Sequence, residues 1–163
     1  MRIIRGDLLE LAERGDFHII VHGCNCFHAM RSGIAGQISI KYPGAAEVDR
    51  LTKIADKEKL GTFSAFHTGK FDIFNAYTQY TYSRYGDVFE YDAFKAVLRR
   101  IKEEVIEIKK AQDIQEKISI GFPKIGCGLA GGSLSRVIDI LLDFAEETED
   151  IIEVTMVVYD DRR

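Results

Sequence analysis

The sequence has little proline, little cysteine and no stretch that is apolar enough to cross a membrane. Only 2 of its 163 residues are proline and 46% are hydrophobic, which fits one compact domain over residues 1–163. Its longest apolar runs are far shorter than the roughly 20 residues that a membrane helix needs. The opening MRIIRGDLLE does not have the pattern of a signal peptide. We therefore expect a single domain with no membrane contact.

The sequence also has no excess of positive charge. Its formal net charge of −4 argues against direct nucleic-acid binding, which needs a basic face. The charge does not exclude a small anionic ligand, because backbone N–H groups supply positive potential without basic side chains. The 3 cysteines are an odd number and do not suggest a disulfide framework, so we expect reduced thiols and a cytoplasmic location.

Strand-like and helix-like segments alternate along the chain without repeats or linkers. Near-continuous apolar runs at 17–25 and 117–123 predict buried strands, and 91–111 has the clearest amphipathic helix pattern. Two β-prone runs joined by a short glycine turn predict a hairpin near 63–80. This order predicts an α/β fold, a three-layer α/β/α sandwich with a mixed, largely parallel sheet. The other predicted segments are a β-prone run ending at Gly6-Asp7, helices at 8–14, 32–42, 45–61 and 134–146, a loop at 83–90 and a strand at 152–159.

The stretch HGCNCFHAM at 22–30 brings two imidazoles and two thiols together in sequence. His22, Cys24, Cys26 and His28 occupy every second position. In an extended strand the first and last of them would lie roughly 20 Å apart, whereas the ligand atoms of zinc are about 3–4 Å from one another. Structural zinc sites also place two or more residues between their cysteines. We therefore predict no metal here, and interpret the two cysteines as packing residues.

Two glycine-containing loops follow two of the predicted buried strands. The first runs from Cys24 to Gly36 and the second from Gly126 to Gly132, and each leads into a predicted helix. Ligands of parallel α/β sheets bind beyond the carboxyl ends of the strands, and N–H groups at a helix N-terminus hold phosphate. Neither loop has the sequence of a P-loop or of the dinucleotide fingerprint. The pattern predicts binding of a phosphorylated small molecule, with glycines that only make tight turns as the alternative.

The whole chain resembles a macrodomain, the fold that binds ADP-ribose. The motifs that carry the resemblance occur in the family's order from end to end: RGDLL (5–9), IIVHGCNCFHAMRSGIAGQI (19–38), NAYTQ (75–79), PKIGCGLAGG (123–132) and VTMVVYDD (154–161). The stretch from His22 to Ala45 is most similar to the small single-domain branch that includes ADP-ribose-1″-phosphate phosphatases. PKIGCGL and VVY also resemble the branch that removes ADP-ribose from acylated side chains.

The resemblance implies a role for particular residues. Asp7, followed by Leu8, would accept a hydrogen bond from the adenine amino group, although Asp7 could instead be a helix N-cap. Asn25 would bind hydroxyls of the distal ribose. Tyr159 would line the adenine pocket or pack as an ordinary strand residue. The distal ribose and the diphosphate would lie between the first loop, with Arg31, Ser32, Gly33, Ile34 and Ala35, and the second, with Gly126, Cys127, Gly128, Leu129 and Ala130.

The sequence departs from the family pattern in both loops and after one strand. Arg31 and Ser32 stand where many members have glycine, and Arg31 could pair with a terminal phosphate or point to solvent. Ala130 stands where many members have an aromatic residue, and where the branch that removes acyl-linked ADP-ribose has its catalytic aspartate. The catalytic lysine of that branch falls near Thr78 and Gln79. These departures argue against lysine-dependent glycohydrolysis.

The resemblance implies a hydrolase that needs no cofactor. The leading hypothesis is hydrolysis of ADP-ribose 1″-phosphate to ADP-ribose and phosphate, in which Asn25 fixes the ribose. His28 would be the general acid or base, because histidine titrates near neutral pH, unless it is only a surface loop residue. The alternatives are an ADP-ribosyl hydrolase that acts on protein or nucleic acid, and a non-catalytic ADP-ribose-binding module. The expected partner is ADP-ribose or a derivative, free or attached to a macromolecule.

Overall fold

The chain folds around a six-stranded, mostly parallel sheet. The computed structural model describes residues 1–82 and 88–159, so parts of the predicted loop at 83–90 and of the motif at 154–161 lie outside the described residues. The sheet order is β1-β6-β5-β2-β4-β3. All neighbouring strands run parallel except β3 and β4, which form the predicted hairpin. The strands are β1 (Arg2–Arg5), β2 (Ile19–Cys24), β3 (Phe63–His67), β4 (Asp72–Tyr77), β5 (Ile118–Phe122) and β6 (Ile152–Val158).

Helices cover both faces of this sheet, which confirms the predicted three-layer fold. One face packs against α1 (Leu8–Glu13), α2 (Gly33–Lys41) and α3 (Pro43–Arg50), and the other against α4 (Tyr91–Ala111) and α5 (Leu134–Glu147). The predicted helix bounds agree to within one residue, except for the helix predicted at 45–61. In the part of the chain that the structure describes, no helix has both the length and the apolar character needed to cross a membrane.

The central strands contribute side chains to two separate cores. Successive side chains of a strand point to opposite faces, so Val21 and Phe74 pack toward α4 and α5, while Ile20 and Ile73 pack toward α1, α2 and α3. All four side chains are buried. Burial on both faces explains why the sequence shows near-continuous apolar runs rather than a polar–apolar alternation.

The helix predicted over 45–61 is wrong in its second half. Pro43 occupies the first turn of α3, where its missing N–H costs nothing, so the helix begins before the predicted start. It ends at Arg50, and Ala55 adopts a left-handed backbone conformation with φ of +58°. A short 3₁₀ turn follows at Lys57–Lys59. Leu51 is exposed, so the apolar spacing in this segment does not mark a buried helix face.

The sheet opens at the carboxyl end of β2. Ile19 and Ile20 pair with Ile120 and Gly121 of β5, and the pairing of these two strands ends there. The pairing of β2 with β4 continues to its last residue, Cys24. The two predicted glycine loops therefore leave the sheet beside a gap between β2 and β5, which is the position where α/β sheets bind ligands.

Candidate functional site

A cleft of about 240 Å³ lies at the carboxyl ends of β2 and β5. A larger groove of about 560 Å³ runs between α4 and α5, but neither glycine loop contributes to it. The cleft is lined by the end of β2, by both glycine loops and by the segment that follows β4. Of the predicted ligand-binding residues, it brings together Asn25, Ser32, Gly33, Ile34, Ala35, Gly126, Gly128, Leu129 and Ala130.

The first wall of the cleft is the N-terminus of α2. Ser32 is the N-cap residue, and Gly33 has φ of +57°, a left-handed conformation that favours glycine. Since the first N–H groups of a helix have no intrahelical acceptor, those of Gly33, Ile34 and Ala35 donate to none of the described residues. Gly36 is the first to donate, to the Ser32 carbonyl at 3.1 Å. The positive end of the α2 dipole therefore faces the cleft.

The second wall is the loop over 126–132. Turn hydrogen bonds within it use the N–H groups of Cys127, Gly131 and Gly132. Gly126 has φ of +74°, and a Cβ atom there would lie 2.2 Å from the ring of Phe89, so only glycine fits. The N–H groups that donate to no described residue are those of Gly126, Gly128, Leu129 and Ala130.

The two walls give the cleft the character of an anion site. Three N–H groups of the first wall and four of the second are without acceptors among the described residues. Lys124 lines the cleft, and the described lining contains no carboxylate. N–H groups on two sides of one cleft can hold two adjacent phosphate groups without any metal ion.

The side chain of Asn25 organises the first loop and faces the cleft. Its Oδ1 atom accepts hydrogen bonds from the N–H groups of Phe27 at 2.9 Å and Ala29 at 3.3 Å. Its Nδ2 atom donates to the Ala29 carbonyl at 2.9 Å. A primary amide has two hydrogens, so one hydrogen on Nδ2 has no acceptor among the described residues. A ligand oxygen in the cleft can accept it.

His28 bonds to the segment after α3 and is absent from the cleft lining. Its Nε2 atom lies 2.9 Å from the Thr52 carbonyl oxygen and 3.3 Å from Thr52 Oγ1. Because a carbonyl oxygen only accepts, Nε2 carries the hydrogen. The cleft lining does not include His28. The geometry therefore does not support His28 as the general acid or base.

Three residues predicted for the adenine end also lie outside the described cleft lining. Asp7 is the N-cap of α1, and its Oδ1 atom accepts from the N–H groups of Leu9 at 2.9 Å and Glu10 at 3.1 Å. Leu8 is buried in the core on that side of the sheet. Tyr159 follows β6 and is 61% exposed. The capping role of Asp7 is thus present, and the adenine contacts of all three stay predictions.

Arg31 and Cys127 flank the cleft without lining it. Arg31 is exposed and forms no ion pair with any carboxylate of the described residues. The Cys127 thiol donates to the Ile125 carbonyl at 3.4 Å, and burial raises the pKa of this thiol. The thiol is therefore protonated at neutral pH and contributes no negative charge beside the second wall.

Of the alternating histidines and cysteines, His22 and Cys24 lie 3.7 Å apart between Nε2 and Sγ, whereas Cys26 and His28 bond to other partners. His22 Nε2 lies 2.6 Å from Asn75 Oδ1, and the Cys26 thiol donates to the Gln79 carbonyl at 3.6 Å. Burial lowers the pKa of His22 to about 4, so its ring is neutral. Within residues 1–82 and 88–159, no group of three His, Cys, Asp or Glu side chains could hold a metal ion.

A buried polar network that the sequence pattern did not reveal lies behind the first loop. The Lys59 ammonium lies 3.5 Å from the Cys26 carbonyl oxygen and 4.6 Å from the centroid of the Tyr77 ring. The Tyr77 hydroxyl donates to Asp49 Oδ1 at 2.7 Å, and burial raises its pKa, so it stays protonated. Lys59 and Asp49 are both buried. In sequence they are isolated charges in polar segments, which usually indicates a solvated surface.

Among the lining residues that were not predicted as ligand contacts are Gln79, Tyr82 and Lys124. Gln79 Nε2 donates to the Thr81 carbonyl at 2.8 Å. Tyr82 is 60% exposed, and its ring meets that of Phe27 edge-on at 6.1 Å. The segment after β4 resembles the family only up to Gln79, so no motif indicated that Tyr82 would reach the cleft.

Comparison with known proteins shows the family to which this chain belongs. The family model described as Macro domain matches residues 21–141. An uncharacterised 17.5 kDa protein from the tk–vs intergenic region of Enterobacteria phage T4 is 34% identical to this chain over 157 residues. The match covers 93% of this chain and 94% of the phage protein.

Solved structures share the fold. The macrodomain of Mycobacterium tuberculosis DarG is 23% identical with a TM-score of 0.70, and the match covers 96% of each chain. Thermosipho africanus DarTG in complex with ADP-ribose is 18% identical with a TM-score of 0.74, and the match covers 99% of this chain and 42% of that one. The family match, the phage relative and the shared fold together identify this chain as a member of the macrodomain family.

Proposed function

We propose that this chain binds ADP-ribose in the cleft between its two glycine loops. The observation that carries the proposal is that residues lining one cleft on both walls have backbone N–H groups without acceptors among the described residues. A diphosphate has anionic oxygens on two adjacent phosphorus atoms, so donors on two sides suit it better than donors on one. Macrodomain homologues bind ADP-ribose, and the Thermosipho africanus DarTG structure contains it.

In this proposal the ligand lies with its distal ribose at Asn25. The remaining Nδ2 hydrogen of Asn25 donates to a ribose hydroxyl, while the other three hydrogen bonds of that amide keep the first loop in shape. The adenine end extends toward Asp7, Leu8 and Tyr159. Asp7 uses only Oδ1 in its cap, so Oδ2 can accept from the adenine amino group.

Isothermal titration with ADP-ribose tests the binding proposal. Gly33→Glu places a carboxylate at the first wall and a side chain at a left-handed position, so we expect it to abolish measurable binding. Gly15→Glu is the matched control, because Gly15 also has positive φ and open space around it, but lies after α1. Asn25→Ala should weaken binding by about tenfold. Wild-type affinity in both Gly33→Glu and Asn25→Ala would overturn the site.

We further propose that the bound derivative is hydrolysed, with ADP-ribose 1″-phosphate as the first candidate. A water attacks the terminal phosphorus, the bond from phosphorus to O1″ breaks, the water's hydroxyl stays on phosphorus, and O1″ takes up the proton that the water loses. Arg31 supports this choice, because it directly precedes the first wall, is exposed and forms no ion pair among the described residues, so it can pair with a terminal phosphate. The described cleft lining holds no carboxylate and no imidazole, so Asn25 acts here by fixing the ribose rather than by moving a proton.

Phosphate release from ADP-ribose 1″-phosphate tests the hydrolysis. We expect Arg31→Ala to lower this activity and the affinity for the 1″-phosphate, while the affinity for ADP-ribose itself stays unchanged. A wild-type protein that binds ADP-ribose but releases no phosphate would contradict the phosphatase proposal and favour a binding module.

The exposed rim of the cleft favours a second candidate activity, removal of ADP-ribose from a macromolecule. Tyr82 and Leu129 line the cleft and are 60% and 56% exposed, so both rims present apolar surface that an attached macromolecule could contact. An assay with ADP-ribosylated protein and ADP-ribosylated DNA separates this activity from the phosphatase. If the protein turns over neither ADP-ribosylated protein nor ADP-ribosylated DNA, this candidate activity is excluded.

A further inference from the structure

We propose that the segment over 88–91 sets the shape of the second wall, and that Phe89 is a positioning residue for ADP-ribose binding. This inference rests on the proposed function. The segment lies just before and within the first turn of α4, far in sequence from the loop that it contacts. Its contacts reach both ends of that loop and its centre.

The ring of Phe89 fills the space that side chains would need at both ends of the loop. It is 3% exposed. A Cβ atom at Gly126 would lie 2.2 Å from this ring, and a Cβ atom at Gly132 would lie 3.1 Å from it. The Gly132 N–H donates to the Gly126 carbonyl at 2.7 Å, so the two ends of the loop close on each other beside the ring. The ring is therefore the surface on which the loop closes.

The backbone of the same segment holds the centre of the loop. The N–H groups of Val88 and Phe89 both donate to the Ala130 carbonyl oxygen, at 2.9 Å and 3.2 Å. A carbonyl oxygen that pointed into the cleft would repel a phosphate. These two hydrogen bonds keep the Ala130 carbonyl on the side of the segment, which leaves the N–H groups of the loop to face the ligand.

Tyr91 fixes the exit of the loop into α5. Its hydroxyl accepts a hydrogen bond from the Ser133 N–H at 2.8 Å. The Arg136 guanidinium lies over the Tyr91 ring, 3.6 Å from the centroid. Ser133 is the N-cap residue of α5 and makes no side-chain cap bond. The Tyr91 hydroxyl therefore satisfies one of the N–H groups at the start of α5 that have no acceptor within the helix.

A loop with this sequence needs such a template. Four of the seven residues in GCGLAGG are glycine, which has the largest backbone freedom to lose on ordering. If the loop were mobile, the ligand would have to order it on binding. The free-energy cost of ordering the loop would then weaken the affinity. The Phe89 ring orders the loop before the ligand arrives.

Phe89→Leu, compared with Phe144→Leu, tests this inference. Phe144 is 5% exposed and belongs to the same core, but lies on α5 near its C-terminal end. Both changes remove a ring from the core, so both should lower the free energy of unfolding. We expect only Phe89→Leu to weaken ADP-ribose binding, by about tenfold, and to move the amide resonances of Gly126 and Gly128 in the free protein. Equal affinity in the two variants would overturn the inference.

Two further arms separate this inference from the proposed function. If the wild type binds no ADP-ribose, the proposed function fails. The amide resonances then test the inference by themselves: if those of Gly126 and Gly128 do not move in Phe89→Leu, the ring does not order the loop. Where Phe89→Leu does not fold, Tyr91→Phe removes only the hydroxyl that holds Ser133. We expect Tyr91→Phe to weaken ADP-ribose binding by about threefold, and an unchanged affinity would contradict the template role.

Discussion

At the scale of single residues, Asn25 both orders the first loop and keeps a hydrogen-bond donor for a ligand. Its amide makes hydrogen bonds to Phe27 and Ala29 that close the turn after β2. The same amide keeps one hydrogen for a ligand oxygen. In the proposed complex one side chain thus orders the loop and binds the ligand, so its loss should affect affinity in two ways at once.

His22 makes the stability of the fold depend on pH. Burial lowers the pKa of His22 to about 4 in the folded chain, against about 6.5 when unfolded. Between these pH values the unfolded chain binds a proton that the folded chain does not, so unfolding becomes easier as the pH falls. The stabilisation is complete above about pH 6.5, and up to about 3 kcal/mol is lost as the pH falls toward about 4.

Denaturant unfolding between pH 7 and pH 5 checks this expectation. His22→Gln should remove most of the slope in this range, whereas His18→Gln, a change at an exposed histidine, should keep it. Aspartate and glutamate titrate mainly below this range. An equal slope in wild type and His22→Gln would mean that His22 is not the group responsible.

At the scale of elements, contacts between segments distant in sequence hold both walls of the cleft. The first loop is held from behind by Lys59, whose ammonium lies 3.5 Å from the Cys26 carbonyl oxygen. The second loop is held by Phe89. The 3₁₀ turn and the segment before α4 therefore belong to the architecture of the site, although neither lines the cleft.

Lys59→Met tests the support of the first wall. Methionine keeps an apolar stem but removes the charge beside the Tyr77 ring and the hydrogen bond to the Cys26 carbonyl. We expect the free energy of unfolding to fall by about 1–3 kcal/mol. Lys57→Met, at an exposed lysine of the same turn, should change it by less than about 0.5 kcal/mol. Similar effects of the two changes would contradict the network.

Elements with a strong periodic pattern could be predicted from the sequence. The amphipathic stripe predicts α4 with the bounds that the structure shows, Tyr91–Ala111. The segment over 45–61 could not be predicted in the same way, because α3 ends at Arg50 and the chain then takes a left-handed backbone conformation at Ala55 without glycine. Local spacing reports which residues can share a face, and not where tertiary contacts end a helix.

The candidate site was predictable to a smaller extent. The order of strand, glycine loop and helix predicted both walls, and the cleft brings them together. The resemblance indicated Asn25, but no pattern showed that His28 would bond to Thr52 or that Phe89 would pack on Gly126. These contacts join segments far apart in sequence, so they depend on the fold and not on any local motif.

At the scale of the whole molecule, an acidic chain contains the proposed site for an anion. The formal net charge is −4, yet the cleft faces two sets of N–H groups and the positive end of the α2 dipole. Backbone dipoles act over a short range and do not depend on the total charge. The molecule can therefore repel polyanions at a distance and still bind a diphosphate in contact.

This arrangement predicts a weak dependence of ADP-ribose affinity on salt. Exposed charges are screened within about 10 Å at moderate salt, whereas hydrogen bonds from N–H groups in a cleft are screened much less. Between about 0.05 M and about 0.5 M sodium chloride we expect the dissociation constant to rise by less than about threefold. A rise of an order of magnitude in a calorimetric series would instead assign the binding energy to Lys124 and Arg31.

The central claim is that both walls hold the same ligand, and an NMR titration with ADP-ribose tests it most directly. We predict that the amide resonances of Ile34 and Ala35 in the first wall and of Gly128 and Leu129 in the second move together, over one range of ligand concentration. Resonances of the groove between α4 and α5 should not move. Shifts confined to that groove, or to one wall alone, would contradict the account.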